Sequence, residues 1–103
     1  ILNIAGGLKV NDPAIDLAVI SAILSSSLDI SIEPGISMCG EVGLSGEIRP
    51  VNRIEQRILE AEKLGFSRII IPHNNLKGFD TSKCKMQIVQ VRKVEEAFRQ
   101  LFG

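Results

Sequence analysis

Few side chains in this sequence carry the chemistry of covalent catalysis, and none of them stands in a constellation. His73 is the single histidine, set between Pro72 and the pair Asn74-Asn75. With no Cys, Asp or His at ligand spacing beside it, its imidazole reads as a solvated or capping group rather than a base or a metal ligand. Ser25, Ser26 and Ser27 form a run near a helix end, where small hydroxyls commonly close the helix. Ser45 lies between Leu44 and Gly46 in a turn, which is ordinary turn chemistry. Cys39 and Cys84 belong to no CxxC pair and have no histidine near them in sequence, so free thiols of a reducing compartment are expected rather than zinc ligands or a disulfide. The glycines Gly6-Gly7 and Gly40–Gly46 lack the GxxxxGK[ST] order that would put a lysine and a hydroxyl on a triphosphate, which excludes nucleotide hydrolysis by such a loop.

Charge offers a different chemistry. Arg49, Arg53 and Arg57 recur every four residues, and Arg53 and Arg57 share a helix face by i,i+4 geometry. With Lys9 and Lys63 they are candidate contacts to nucleic-acid phosphates. The competing reading is a solvated face on which Arg53 and Arg57 pair with Glu60 and other acids. No aromatic residue interleaves with these cations, so stacking on single-stranded bases is not expected, and backbone contact with duplex is the version that fits. Twelve basic residues balance twelve acidic ones, so no global field draws the chain to nucleic acid or an anionic membrane.

The elements that must position these groups follow from pattern. At 103 residues the chain is sized for a single domain, 1–103. With 45% hydrophobic residues but four Phe and no Trp or Tyr, its core must be aliphatic. Ile1–Ile4 reads as a strand closing in Ala5-Gly6-Gly7. Asp12 and Pro13 open a helix over about 13–28, expected to be largely buried because its apolar residues cover more than one stripe. Ile36–Val42 reads as a strand, Gly43–Gly46 as a reversal and Glu47–Val51 as its antiparallel partner, ending at Pro50. Asn52 is the expected N-cap of the next helix, with Glu55 at its third position. Ile54, Ile58, Leu59, Ala61 and Leu64 are expected to face the core, and Gly65 to end that helix. Phe66–Ile71 is a buried parallel strand after a crossover. A polar loop with one helical turn near Asn75–Gly78, a strand at Met86–Val91 and a helix at about 93–102 complete the chain. Helices packed on a mixed sheet with a β-hairpin, an α/β (α+β) sandwich, is the expected fold.

The stretches GGLKVNDPAIDLAV and GEVGLSGEIRPVNRIEQRILEAEKLGFSRIII resemble the Lon-protease-like domain that ends the bacterial RadA (Sms) family of DNA repair ATPases. The resemblance spans nearly the whole chain. It implies a Lon-like fold whose peptidase members use a serine just after a proline, with a lysine from a later helix as its base. Laid on this sequence, the serine falls on Ala14, after Pro13, and the lysine on Glu55. A methyl group cannot attack a carbonyl, and a carboxylate at Glu55 has no nucleophile to serve. The resemblance therefore implies a catalytically inactive scaffold rather than the alternative, an ATP-dependent serine peptidase.

The resemblance further implies that this is the C-terminal part of a longer bacterial cytoplasmic protein. Upstream it would carry a zinc finger and a RecA-like ATPase domain, so that ATP, Mg and Zn are expected there and no cofactor here. A six-membered ring, DNA contact through that larger protein and a RecA-type recombinase partner are expected on the same ground, and no membrane association. Leu44 in the hairpin turn and the exposed part of the final helix are candidate ring contacts.

Overall fold

The computed structural model describes residues 3–4, 8–9, 12–76 and 78–103. The elements, in chain order, are β1 (Asn3–Ile4), β2 (Leu8–Lys9), α1 (Asp16–Leu28), β3 (Ile36–Met38), β4 (Glu41–Val42), β5 (Ile48–Arg49), α2 (Ile54–Lys63), β6 (Arg68–Pro72), β7 (Gln87–Val91) and α3 (Val94–Phe102). Short 3-10 turns stand at Pro13–Ile15 and Thr81–Lys83. The expected glycine turn at Ala5-Gly6-Gly7 lies outside the described residues.

Three strands form a parallel sheet in the order β3, β6, β7, with Ile36 opposite Arg68 and Ile69 opposite Ile88. β6 is central and reads Arg-Ile-Ile-Ile-Pro. Because successive side chains of a strand alternate between faces, Ile70 enters one apolar layer while Ile69 and Ile71 enter the other. The first layer is closed by Leu17 of α1 with Ala97 and Leu101 of α3. The second is closed by Ile54, Ile58 and Ala61 of α2. Helices thus cover both faces, the arrangement that parallel strands require. β4 and β5 make a separate antiparallel hairpin, with Val42 opposite Ile48. It is tied to the end of β7 by the Ile48 N–H donating to the Arg92 carbonyl at 2.7 Å.

The expected strand over Ile36–Val42 is two strands in two sheets. Gly40 breaks it: its N–H donates to the Ala14 carbonyl at 2.8 Å, and its carbonyl accepts from the Leu17 N–H at 3.0 Å. The backbone therefore turns from the sheet toward the start of α1. Space is tight there, since a Cβ on Gly40 would stand 2.9 Å from the Ile48 Cγ2. A helical turn stands at Thr81–Lys83, where the Asp80 carboxylate accepts from the Ser82 N–H at 3.1 Å, while the one expected near Asn75–Gly78 falls partly outside the described residues.

Burial of the helices also departs from expectation. Leu17 and Ser21 are the buried residues of α1, while Ile23 and Leu28 are exposed. In α2, Leu59 is 53% exposed and Leu64, just past its end, 68%. Both helices cover single-sided layers, and one stripe on each suffices. Ser21 is fully buried, and its hydroxyl has no hydrogen-bond partner among the described residues. Since burying an unpaired hydroxyl costs on the order of 1 kcal/mol or more, Ser21→Ala is expected to stabilise the chain by about 1 kcal/mol. A denaturant midpoint that falls instead would show that the hydroxyl is satisfied.

Candidate functional site

Ala14 sits in a turn built to present its backbone. Asp12 is extended at the N-cap, its carboxylate accepting from the Ala14 N–H at 3.0 Å, and Pro13 supplies the first turn residue without needing a donor. The Ala14 carbonyl accepts from Gly40, and its methyl is 2% exposed. Asp16 continues the tether, accepting from the Val42 N–H at 3.1 Å. The residue that the family resemblance places at the nucleophile is therefore a packing group at the junction of α1 and the hairpin.

Glu55 lies in the first turn of α2 and is exposed. The groove it borders, of about 690 Å³, is walled by Pro50, Val51, Asn74 and Asn75 and contains no residue of 12–17. Asn75 fixes that wall: its amide oxygen accepts from the Val51 N–H at 2.8 Å, and its amide nitrogen donates to the Val51 carbonyl at 3.1 Å. One side chain thus satisfies both backbone groups of Val51 in the segment entering α2.

The start of α2 differs from the expected capping box. Its N-cap is Arg53, in the left-handed region at φ 56°, with no side-chain cap bond. Asn52 instead serves Arg57. The Arg57 Nε donates to the Asn52 carbonyl at 2.8 Å, and Nη2 donates to the Asn52 Oδ1 at 2.9 Å and to the Asp12 Oδ2 at 3.0 Å. Arg57 therefore pairs with Asp12, 45 residues away in sequence, rather than with Glu60. The Asp12 carboxyl is held below its ordinary value, first by the Ala14 N–H and then by the Arg57 guanidinium. The ion pair joins the two elements that carry Ala14 and Glu55, standing two residues before the one and two after the other.

Arg49 is engaged as well. Its Nη2 meets the Glu47 Oε2 at 2.9 Å, while Glu47 Oε1 accepts from the Ser45 N–H at 3.1 Å. The Glu47 carboxyl is lowered by its own backbone N–H first, then by Arg49. Of the five candidate phosphate contacts, Arg49 and Arg57 already hold carboxylates. Arg53 and Lys63 stand exposed at the two ends of α2, with no ion pair among the described residues. Lys9 lies in β2, and its side chain is outside the described residues. The Arg92 Nη2 donates to the His73 Nε2 at 3.0 Å.

Cys39 is buried with its thiol pushed up to about 11 by desolvation, and Cys84 is a half-buried free thiol. Such a Cys39 is unreactive at neutral pH. Among the described residues no group of His, Cys, Asp and Glu could hold a metal ion, and no helix is long and apolar enough to cross a membrane. Sequence reasoning missed the Asp12–Arg57 pair and the Asn75 clamp. Asp12 had a sufficient local explanation as a cap, and neither long-range partner leaves a spacing signal.

A mixed α/β fold with this capped Pro-Ala turn and this hairpin defines a domain of the Lon-protease class. The chain belongs to the family of the Lon protease (S16) C-terminal proteolytic domain, which it matches over residues 4–103. It is similar to the DNA repair protein RadA of Bacillus subtilis, at 49% identity over 102 residues, and to that of Streptococcus pneumoniae, at 50%. These alignments cover 99% of this chain and 22% and 24% of the two relatives, so the chain spans about a quarter of their length or slightly less.

Proposed function

We propose that this chain is a non-catalytic Lon-like scaffold in a RadA-type DNA repair ATPase of the bacterial cytoplasm, supporting ring assembly and contact with duplex DNA. The observation that carries the reading is Ala14. A buried methyl stands in the turn where a working peptidase of this family would carry its serine, and the exposed Glu55 borders a groove that the turn does not share. Removing the nucleophile removes the mechanism rather than slowing it. ATP, Mg and Zn would be held by other parts of such a protein. The residues present do not fit them, having neither a phosphate loop nor, among those described, a metal-ligand cluster. A hexameric ring and a RecA-type recombinase partner belong to the same proposal.

Duplex contact would draw on Lys9, Arg49, Arg53, Arg57 and Lys63. Arg53 is favoured among them. It holds no carboxylate among the described residues, and it stands on the ridge between two grooves, one on each side of the start of α2. The test is duplex binding by the full-length protein across a salt series, with Arg53→Ala beside the native protein and ring mass checked in the same buffers. Arg53→Ala is expected to weaken binding and to reduce the log–log salt slope by about 0.9 for each phosphate that the side chain neutralises. An unchanged affinity and slope with the ring intact would make the domain an assembly module without DNA contact. Fluorogenic peptide turnover abolished by a serine-reactive inhibitor would restore the peptidase alternative.

A further inference from the structure

We infer that His73 is a proton-controlled latch. With its imidazole neutral, it fastens the segment after β6 to the junction of β7 and α3. Protonation, in the range of about pH 8 to 5 where an imidazole changes charge, releases that segment and loosens one wall of the groove at the start of α2.

The protonation state of the ring follows from its partner. A guanidinium carries N–H donors and no acceptor, so the 3.0 Å contact between the Arg92 Nη2 and the His73 Nε2 requires Nε2 to be the bare nitrogen of a neutral ring. The ring proton is therefore on Nδ1, and a second proton can enter only at Nε2. It would remove the acceptor and leave two cations at hydrogen-bond distance. The charged groups of the neighbouring elements do not relieve them. Glu47 of the hairpin is held by Arg49, and Glu96 of α3 accepts from the Arg92 backbone N–H at 2.7 Å. Lys93, between β7 and α3, adds a further positive charge. Neither Glu55 of α2 nor any other carboxylate lies within ion-pair reach of the imidazole among the described residues.

Both ends of the contact are anchored in the backbone. The Arg92 carbonyl accepts from the Ile48 N–H at 2.7 Å, which with the Glu96 bond fixes that residue between the hairpin and α3. The His73 N–H donates to the Val91 carbonyl at 2.8 Å, beyond the last paired residues of β6 and β7. The chain then leaves the sheet through Asn74, left-handed at φ 64°, and reaches Asn75, whose amide holds the N–H and the carbonyl of Val51. The imidazole is thus the last side chain tied to the sheet before the amide that clamps the entry to α2. Val51, Asn74 and Asn75 wall the groove that Arg53 and Glu55 border, so the charge on His73 is transmitted to that wall.

His73 is the single histidine of the chain, which lets the pH window be assigned to it. The test is amide hydrogen exchange at Val51, followed by NMR and corrected for the intrinsic pH dependence of exchange, in the native chain, His73→Gln and Arg92→Gln. A glutamine oxygen at 73 can accept from Arg92 at every pH, and an amide at 92 can donate to a neutral ring or accept from a charged one. Arg92 is exposed, so solvent limits the effect. Protection of Val51 in the native chain is expected to fall roughly three- to tenfold between pH 8 and pH 5, the scale of one such bond, and to stay level in both variants. Native protection that stays level across the range overturns the latch. So does a fall of the same size in His73→Gln or in Arg92→Gln, because the proton would then act somewhere else.

Discussion

Arg57→Met should lower the melting temperature by roughly 5–15 °C while leaving the fold intact. Three bonds end on this guanidinium, two on Asn52 and one on Asp12. Its side chain is 27% exposed and that of Asp12 48%, so solvent screens the ion pair and the sum of three charged bonds overstates its worth. A loss of about 1–2 kcal/mol is the reasonable scale, and for a domain of this size each kilocalorie moves the midpoint by about 4–8 °C. Asp12→Asn should cost less, because an asparagine still caps the Ala14 N–H.

The pH dependence of that loss is diagnostic. The Asp12 carboxyl is lowered in the folded chain, so the stability it contributes is complete above its unfolded value, about 3.9. It is lost as pH falls through the lower folded value. The difference between native and Arg57→Met should therefore narrow when melting is repeated below about pH 4, leaving the part due to Asn52. A melting temperature unmoved by Arg57→Met at neutral pH would show that the guanidinium exchanges freely with water and is free to meet phosphates after all.

That outcome bears on how much of the site could be read from the sequence. The helix that carries Arg57, the hairpin before it and the parallel strand after it were legible, whereas the helix face expected to join Arg53 to Arg57 was not found, because Arg53 is the left-handed cap outside α2. What spacing cannot report is which carboxylate a guanidinium reaches across the fold. Asp12 and Arg57 meet across 45 residues of sequence, while Gly40 fastens the start of α1 to the end of β3. The same glycine explains why one apolar run, Ile36–Val42, became two strands. Periodicity sees hydrophobicity, and a glycine that donates to Ala14 and accepts from Leu17 has none to show. Likewise the left-handed Arg53 defeated the expected Asn52 cap, since a φ of 56° at a residue with a long side chain has no sequence signature.

Adjacent residues of α2 should behave in opposite ways. Ile58 is fully buried against the Ile69–Ile71 layer, whereas Leu59 is 53% exposed. Ile58→Ala is expected to cost about 3–4 kcal/mol, the transfer of the lost carbons plus the cavity they leave. That is a large part of the roughly 5–15 kcal/mol typical of a whole domain, and corresponds to a midpoint roughly 15–25 °C lower. Leu59→Ala, touching mostly water in the single chain, should stay within about 0.5 kcal/mol. The pattern predicted for Leu59, that it faces the core as Ile58 does, came from apolar type alone. One turn of α2 buries only the face that meets β6, and a leucine about 100° away around the helix must find another partner or none. If denaturant titration of the monomeric chain gave equal losses for the two substitutions, α2 would be rotated from its observed position. The groove beside β3 would then not be open. If the losses separate as expected, Ile58 is the residue that anchors α2 to β6, and Leu59 adds little to the stability of the single chain.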